Sequence, residues 1–338
     1  MSDQLRTFAV EAAGVRKTYP GAGAPALDGF DLTVGRGTVH GLLGHNGAGK
    51  TTAIRVMTTL LACDSGSVRV AGRDVRTDGR GVRARIGLVG QYAAVDEDLT
   101  GRQNLVMFGR LGRLSRTGAA HRADELLERF GLTDAAGKRL ATYSGGMRRK
   151  LDLAAALLVA PEVLFVDEPT TGLDPAARRD VWDAVRNLAS RGTTVLLTTQ
   201  YLEEADRLAD HISLVARGRV VAEGTPAVLK ARVGDDRLEL TPEVRADADR
   251  VPGLVRPFAS AEAHVADGCV SVPVTDRGRA LTNVVGAVRE AGVDLADVAI
   301  RTPTLDDAFL ELTGSVAEEP GTGDTGTERS DVEGTVPA

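Results

Sequence analysis

Between residue 8 and about residue 224, short β-branched apolar runs alternate with stretches whose apolar positions recur every three or four residues, the pattern of alternating strands and helices. Five runs read as buried strands: TVHGLLG (38–44), IGLVGQ (86–91), EVLFVDE (162–168), TTVLLTT (193–199) and HISLVA (211–216). Their near-continuous apolar character suits a sheet covered on both faces. Helical patterns fall at 49–61, 101–130 (one helix or two), 145–158 and 175–190. A second unit, 236–313, carries strand-like DRLELT, CVSVPV and VDLADVAIRT around a helix near 278–291, and so reads as a small α+β appendage. It closes on TPTLDDAFLELTG, where Thr304 and Asp307 have capping-box spacing and Leu305, Phe309 and Leu312 share one helical face.

Composition adds bounds. The 338 residues are enough for about two domains, and 43 % apolar with 26 % charged residues is ordinary for a globular chain. Cys63 and Cys269 stand far apart with no Cys/His cluster, which excludes a disulfide framework or zinc site and predicts two buried thiols. The start, MSDQLRTFAV, lacks the basic region and apolar run of a signal peptide. The run LAAALLVA (153–160) falls well short of the roughly 20 residues that cross a bilayer. No basic block accompanies the arginines, so the chain carries no nucleic-acid footprint. Most of the net charge of -6 lies in residues 315–338, which hold six acids and one arginine. With almost no large apolar residues, that tail is expected to be disordered.

Three segments carry chemistry. GHNGAGKT (44–51) fits the phosphate-loop pattern between a strand and a helix: Gly44, His45, Asn46, Gly47, Ala48 and Gly49 let backbone amides wrap a phosphate chain, with Thr52 next in the helix. Lys50 reaches the β and γ phosphates, and the Thr51 hydroxyl can ligate Mg²⁺. VLFVDEP (163–169) puts two carboxylates at a strand tip, Asp167 to hold the metal through water and Glu168 to polarise a water for in-line attack. YSGGMRRK (143–150) heads an apolar helix, where Ser144, Gly145, Gly146 and the helix dipole make a second anion site. One γ-phosphate cannot need two helix N-termini of the same chain unless the two belong to different subunits.

In this order the segments resemble the nucleotide-binding subunit of an ATP-binding cassette (ABC) transporter over residues 8 to about 230. The resemblance implies an α/β P-loop NTPase of the ABC type: a mixed sheet core with a helical subdomain at about 95–160, a nucleotide-binding domain at 8–230, a C-terminal assembly or regulatory domain at 236–313 and the tail. By resemblance, Tyr19 stacks on adenine, Gln91 touches Mg²⁺ and water and senses the membrane subunit, Ser144 to Met147 form the signature, and Leu173–Asp174 cross the dimer interface. Taken singly, Tyr19 reads equally as a core tyrosine, Gln91 as a solvated strand end and Asp174 as an N-cap before Pro175. The family's dimer is head-to-tail, each ATP lying between one subunit's phosphate loop and the other's signature, which resolves the two-anion-site problem. A second nucleotide-binding subunit, giving a homodimer, and a membrane-spanning permease are therefore implied, with the chain peripheral on the cytoplasmic face of the membrane.

Within the family, GQYAAVDEDLTGRQNL, TTQYLEEADRLAD and LDDAFLELTG are similar to the bacterial drug-exporter group typified by the daunorubicin-resistance ATPases. The last segment resembles that group's motif for assembly with the membrane subunit; it reads equally as an amphipathic helix packing on its own domain. The implied function is ATP hydrolysis powering export of a hydrophobic drug or natural product. Lipid or polysaccharide export and a nucleotide-gated assembly module with little hydrolysis are the alternatives. Two positions depart from the family pattern. Met147 replaces the usual glutamine and removes a polar contact to the nucleotide sugar, which leaves room for GTP beside ATP. Gln200 replaces the usual histidine; an amide can donate to a phosphate oxygen but has no pKa for proton transfer, so the base role falls to Glu168.

Overall fold

The computed structural model describes residues 8–91, 94–232 and 234–314; the acidic tail expected to be disordered lies outside them. Strands β1 (Phe8–Lys17), β2 (Leu27–Gly35) and β3 (Val39–Leu43) come first, then α1 (Lys50–Met57), β4 (Ser65–Val70), β5 (Arg73–Asp74), α2 (Gly79–Arg83) and β6 (Ile86–Val89). Helices α3 (Gly101–Leu111), α4 (Arg116–Arg129) and α5 (Gly145–Ala156) come next, with no strand between them. After these come β7 (Val163–Asp167), α6 (Pro175–Ala189), β8 (Thr194–Thr199), α7 (Leu202–Leu208), β9 (His211–Ala216), β10 (Arg219–Gly224) and α8 (Pro226–Ala231). The remainder is β11 (Asp236–Pro242), α9 (Val251–Val255), β12 (His264–Ala266), β13 (Cys269–Val274), α10 (Arg277–Glu290), β14 (Leu295–Arg301) and α11 (Leu305–Gly314).

The central sheet runs β10-β9-β3-β8-β7-β6, parallel except for the antiparallel edge strand β10. Every residue of β3, β7 and β8 is buried, as the near-continuous apolar pattern predicts. A second sheet, β2-β1-β4-β5, is antiparallel. None of its strands is predicted by the hydrophobic pattern, because their alternating exposure leaves shorter apolar runs. Its inner face, with Val10, Leu27 and Phe30, packs with Ile54 and Met57 of α1 and Phe165 of β7.

The 101–130 pattern resolves into two helices, because Gly112 caps α3 and Arg113 turns into the left-handed region (φ 68°) before Ser115 caps α4. Helix α1 ends at Met57, short of the expected residue 61. Thr58 Oγ1 donates back to Ile54 O at 2.8 Å, and Thr59 adopts φ 65°. Helices α3 to α6 surround an apolar cluster that includes Leu105, Leu126, Leu151 and Trp182. Cys63 is buried as expected, but Cys269, first residue of β13, is only half-buried.

The third sheet, β12-β13-β11-β14, is covered by α9 and α10 through Leu238, Leu240, Val270, Val272 and Val284. Helix α11 does not join that core. Thr304 and Asp307 form the predicted box, Asp307 N donating to Thr304 Oγ1 at 3.2 Å and Thr304 N to Asp307 Oδ2 at 2.9 Å. Leu305, Phe309 and Leu312 then pack with Leu43, Ala205, Leu214 and Leu229, residues of the central sheet and of α7 and α8.

Candidate functional site

The register of the parallel ladder sets the site. Leu43 lies beside Thr199, Thr198 beside Asp167 and Val166 beside Val89, so β3, β8, β7 and β6 end along one edge of the sheet. The chain leaves these strands through Gly44, Gln200, Glu168 and, one residue beyond Gly90, Gln91. Carboxyl ends of parallel strands are where open α/β sheets bind ligands.

The loop after β3 is held by close backbone approach. A Cβ on Gly44 would stand 2.5 Å from Val215 O, and one on Gly49 (φ 109°) would stand 2.5 Å from Ala26 O. No side chain caps the first turn of α1, whose amides therefore face the loop ready for an anion. Lys50 is 4 % exposed; its Nζ donates to Gly44 O at 2.7 Å and His45 O at 3.1 Å and lies 3.8 Å from Glu168 Oε1. Burial lowers the ammonium's pKa, while the Glu168 and Asp167 carboxylates oppose that shift. The Tyr19 hydroxyl lies 3.3 Å from Thr52 Oγ1, which brings the tyrosine to the start of α1.

At the tip of β7, Asp167 Oδ1 accepts from Thr198 Oγ1 at 2.5 Å and from Thr51 Oγ1 at 3.5 Å. A hydroxyl and a carboxylate oxygen at this separation fit the hard oxygen ligands that Mg²⁺ prefers. Among the described residues no three His, Cys, Asp or Glu side chains gather as a metal centre.

Glu168 takes the left-handed conformation (φ 46°), at a cost of about 1 kcal/mol for a non-glycine residue. Its amide donates to both Thr198 O and Thr198 Oγ1 at 3.1 Å, and its Oε2 accepts from Thr171 Oγ1 at 3.3 Å. Strain held by several bonds is typical of functional positions.

Gln200 is half-buried between β8 and α7. Tyr201 N donates to Thr199 Oγ1 at 2.9 Å, and the Arg178 guanidinium lies 5.1 Å above the Tyr201 ring. Two residues into α7, the wholly buried Glu204 accepts from Thr170 Oγ1 at 3.0 Å and Trp182 Nε1 at 2.9 Å. Burial raises its pKa, and the hydroxyl and indole donors hold that rise back.

Ser144, Gly145 and Asp174 occupy different ground. Ser144 is exposed and caps α5, its Oγ accepting from Met147 N at 3.3 Å. Asp174 caps α6, accepting from Ala176 N and Ala177 N at 2.9 Å. Gly146 has a packing role that its place in the motif does not reveal: a Cβ there would stand 2.8 Å from Ala177 Cβ, so α5 can lie against α6 only with glycine. Met147 packs on the helical core.

Thr198, Glu204, Arg149 and Asp152 are given no role by the sequence motifs, although the first three fall inside quoted segments. The last two carry a signal all the same: charged residues three apart at buried positions of their helix, where they are 8 % and 6 % exposed.

Comparison with known proteins places this geometry. The ABC transporter family model matches residues 27–171. The chain is 56 % identical over 313 residues to the daunorubicin resistance ATP-binding protein DrrA2 of Streptomyces coeruleorubidus, covering 92 % of this chain and 97 % of that one. It is 42 % identical over 233 residues to the Nod factor export ATP-binding protein I of Paraburkholderia xenovorans, covering 69 % and 76 %. Among solved structures, an ATP-binding subunit of an ABC transporter superposes with TM-score 0.59 at 27 % identity, over 66 % of this chain and 92 % of that one.

Proposed function

The chain belongs to the ATP-binding subunits of ABC transporters, a family that hydrolyses ATP to power transport, and on that premise we propose that it drives export of a hydrophobic drug or natural product. The observation that carries the reading is the convergence of the phosphate loop, Asp167, Glu168, Gln200 and Gln91 at one sheet edge. The drug-exporter assignment rests on 56 % identity across nearly the whole chain to a relative named for daunorubicin resistance. A second reading, export of a lipid-linked or saccharide cargo, draws on the shorter and weaker match to a relative named for Nod factor export.

In this proposal the amides of residues 44–49 and Lys50 hold the β and γ phosphates of ATP, and Tyr19 stacks on the base. Thr51 and Asp167 would hold Mg²⁺, with Gln91 beside them, and the ion would supply charge neutralisation to the phosphates when bound. Glu168 takes a proton from the attacking water. Gln200 donates through its amide to a γ-phosphate oxygen; with no titratable proton, it orients and clamps. Ser144, Gly145 and Gly146 of a second copy complete the site from the other side, with Asp174 at the interface.

Among the described residues no helix is long and apolar enough to cross a membrane, so transport requires a separate permease, with this chain peripheral on its cytoplasmic face. Met147, half-buried against the helical core, offers the partner's nucleotide no polar group, and stacking on Tyr19 tolerates either purine. The complex therefore turns over GTP as well as ATP; strict ATP dependence would contradict this. The functional test is Glu168→Gln in the native strain. Resistance to the exported compound and its efflux should be lost while the variant still binds ATP; efflux at the unaltered rate would overturn the assignment.

A further inference from the structure

The signature helix is tied to the catalytic loops of its own subunit by one side chain. Arg149 stands five residues after Ser144, about 8 Å along the axis of α5. Its Nη1 donates to Gly90 O at 2.7 Å, its Nη2 to Asp167 O at 3.0 Å and its Nε to Pro169 O at 2.9 Å. Asp167 and Pro169 flank the left-handed Glu168, and Gly90 precedes Gln91, so one rigid guanidinium spans the backbone on both sides of the proposed base and beside the proposed water-sensing glutamine. One turn further on, Asp152 Oδ1 accepts from Ala94 N at 3.1 Å, so the same helix holds the chain both before and after Gln91. The buried guanidinium makes no ion pair of its own among these bonds; the Asp152, Asp167 and Glu204 carboxylates stabilise its charge from nearby, while burial pulls its pKa down.

We propose that Arg149 is a positioning residue that couples the two nucleotide sites of the dimer. Closure of Ser144 onto the partner's γ-phosphate displaces or stiffens α5, and Arg149 carries that change to the backbone of Glu168 and Gln91 in its own site. The inference rests on the shared-site reading above. The planar fork spreads its donors over three nitrogens and so reaches three separate carbonyls; a lysine ammonium has three donors too, but presents them from a single atom.

The test uses the full chain in native membranes and reads ATP hydrolysis against ATP concentration for Arg149→Met, Arg149→Lys, Ser144→Ala and the double variants. Arg149→Met should lower kcat at least ten-fold with KM within two-fold of the unaltered chain, and Arg149→Lys should recover only part of the loss. Ser144→Ala combined with Arg149→Met should be no slower than the slower single variant, because both interrupt one route. Unaltered kcat in Arg149→Met, or losses that multiply, would overturn the proposal. Should Arg149→Met fail to fold, Arg149→Lys carries the same cycle. Hydrogen exchange in the chain with Arg149 intact gives a further reading: ATP added to the Glu168→Gln variant should slow exchange of the amides of α5, Ala94 and position 168 together, and protection of α5 alone would refute the coupling. If Glu168→Gln with Arg149 intact forms no ATP-dependent dimer, the shared-site reading itself fails, a distinct result.

Discussion

Helices α1 and α5 both start on glycine-rich turns, but α1 starts inside the molecule and α5 on its surface. Around the first, Ala48 is wholly buried, Lys50 is 4 % exposed and no side chain caps the turn. Around the second, Ser144 and Gly145 are exposed and the serine caps its own helix. The glycines differ as well. Gly44 and Gly49 let loop backbone press on neighbouring backbone, whereas Gly146 lets one helix lie against another. In the proposed reading, a buried, uncapped N-terminus with a lysine folded over it makes an anion site on its own, whereas an exposed, capped one serves an anion that another molecule brings to it.

Lysine replacement separates the two most strongly. Lys50→Ala should lower turnover about 10³-fold, the scale of losing one preorganised charge at the transferring phosphoryl group, and should weaken ATP binding to the isolated chain. Ser144→Ala should leave that binding unchanged while lowering turnover of the assembled complex about ten-fold, as for one charge-assisted hydrogen bond. It should also cost about 1 kcal/mol of stability through the lost cap, read from thermal melting. Equal loss of binding in the two variants would erase the distinction. At the sheet edge that serves α1, Gln200→Ala should slow hydrolysis by about ten-fold or less and Gln200→His by less than about three-fold, as for a single hydrogen-bond donor. Intact hydrolysis in Gln200→Ala would remove the clamp role.

A further effect, away from the nucleotide contacts, concerns acid stability. Burial pulls the pKa of His40, whose Nε2 lies 2.9 Å from Ser213 Oγ, down to about 4, and burial raises that of Asp152 to about 6 against the pull of Arg149. His40 therefore contributes stability above pH 6.5 that is lost as pH falls through 4. Asp152 contributes stability below pH 3.8 that is lost as pH rises through 6. Each is worth about 3 kcal/mol, and between pH 4 and 6 they offset. Asp152→Asn removes one side of the balance, so its urea midpoint should fall relative to the unaltered chain between pH 6 and 4. Parallel pH curves would show that Asp152 does not titrate there.

The central strands and their tips are legible in the sequence because β3, β7 and β8 are buried on both faces and carry unbroken apolar runs. Strands β1, β2 and β4 are not, since they bury one face and read as weak alternation. At the site, the phosphate loop and the Asp167–Glu168 pair stand out because backbone wrapping and metal ligation restrict residue type at fixed spacing. Thr198 does not: a threonine in a strand says nothing of the carboxylate across the ladder that accepts from its hydroxyl. Arg149 is one of three successive cations, Arg148 to Lys150, and nothing in the sequence singles it out as the buried one or shows its three carbonyl acceptors, which stand 18 to 59 positions away. The resting place of α11 is equally hidden, since its apolar face is the same whichever core receives it.

The central claim is that one chain supplies the phosphate loop and another the signature to the same ATP. Mixing Lys50→Ala chains with Ser144→Ala chains tests it most directly. In a head-to-tail dimer the mixed pair contains one wholly intact site, so ATP hydrolysis should rise on mixing above that of either variant alone, to a quarter or so of the unaltered rate for random pairing with about half of the dimers mixed. A chain carrying both changes, paired with an unaltered chain, has each site broken once and should contribute no more than the residual turnover of a Ser144→Ala site. Recovery in the second pairing and none in the first would mean that each chain completes its own site, and the account would be wrong.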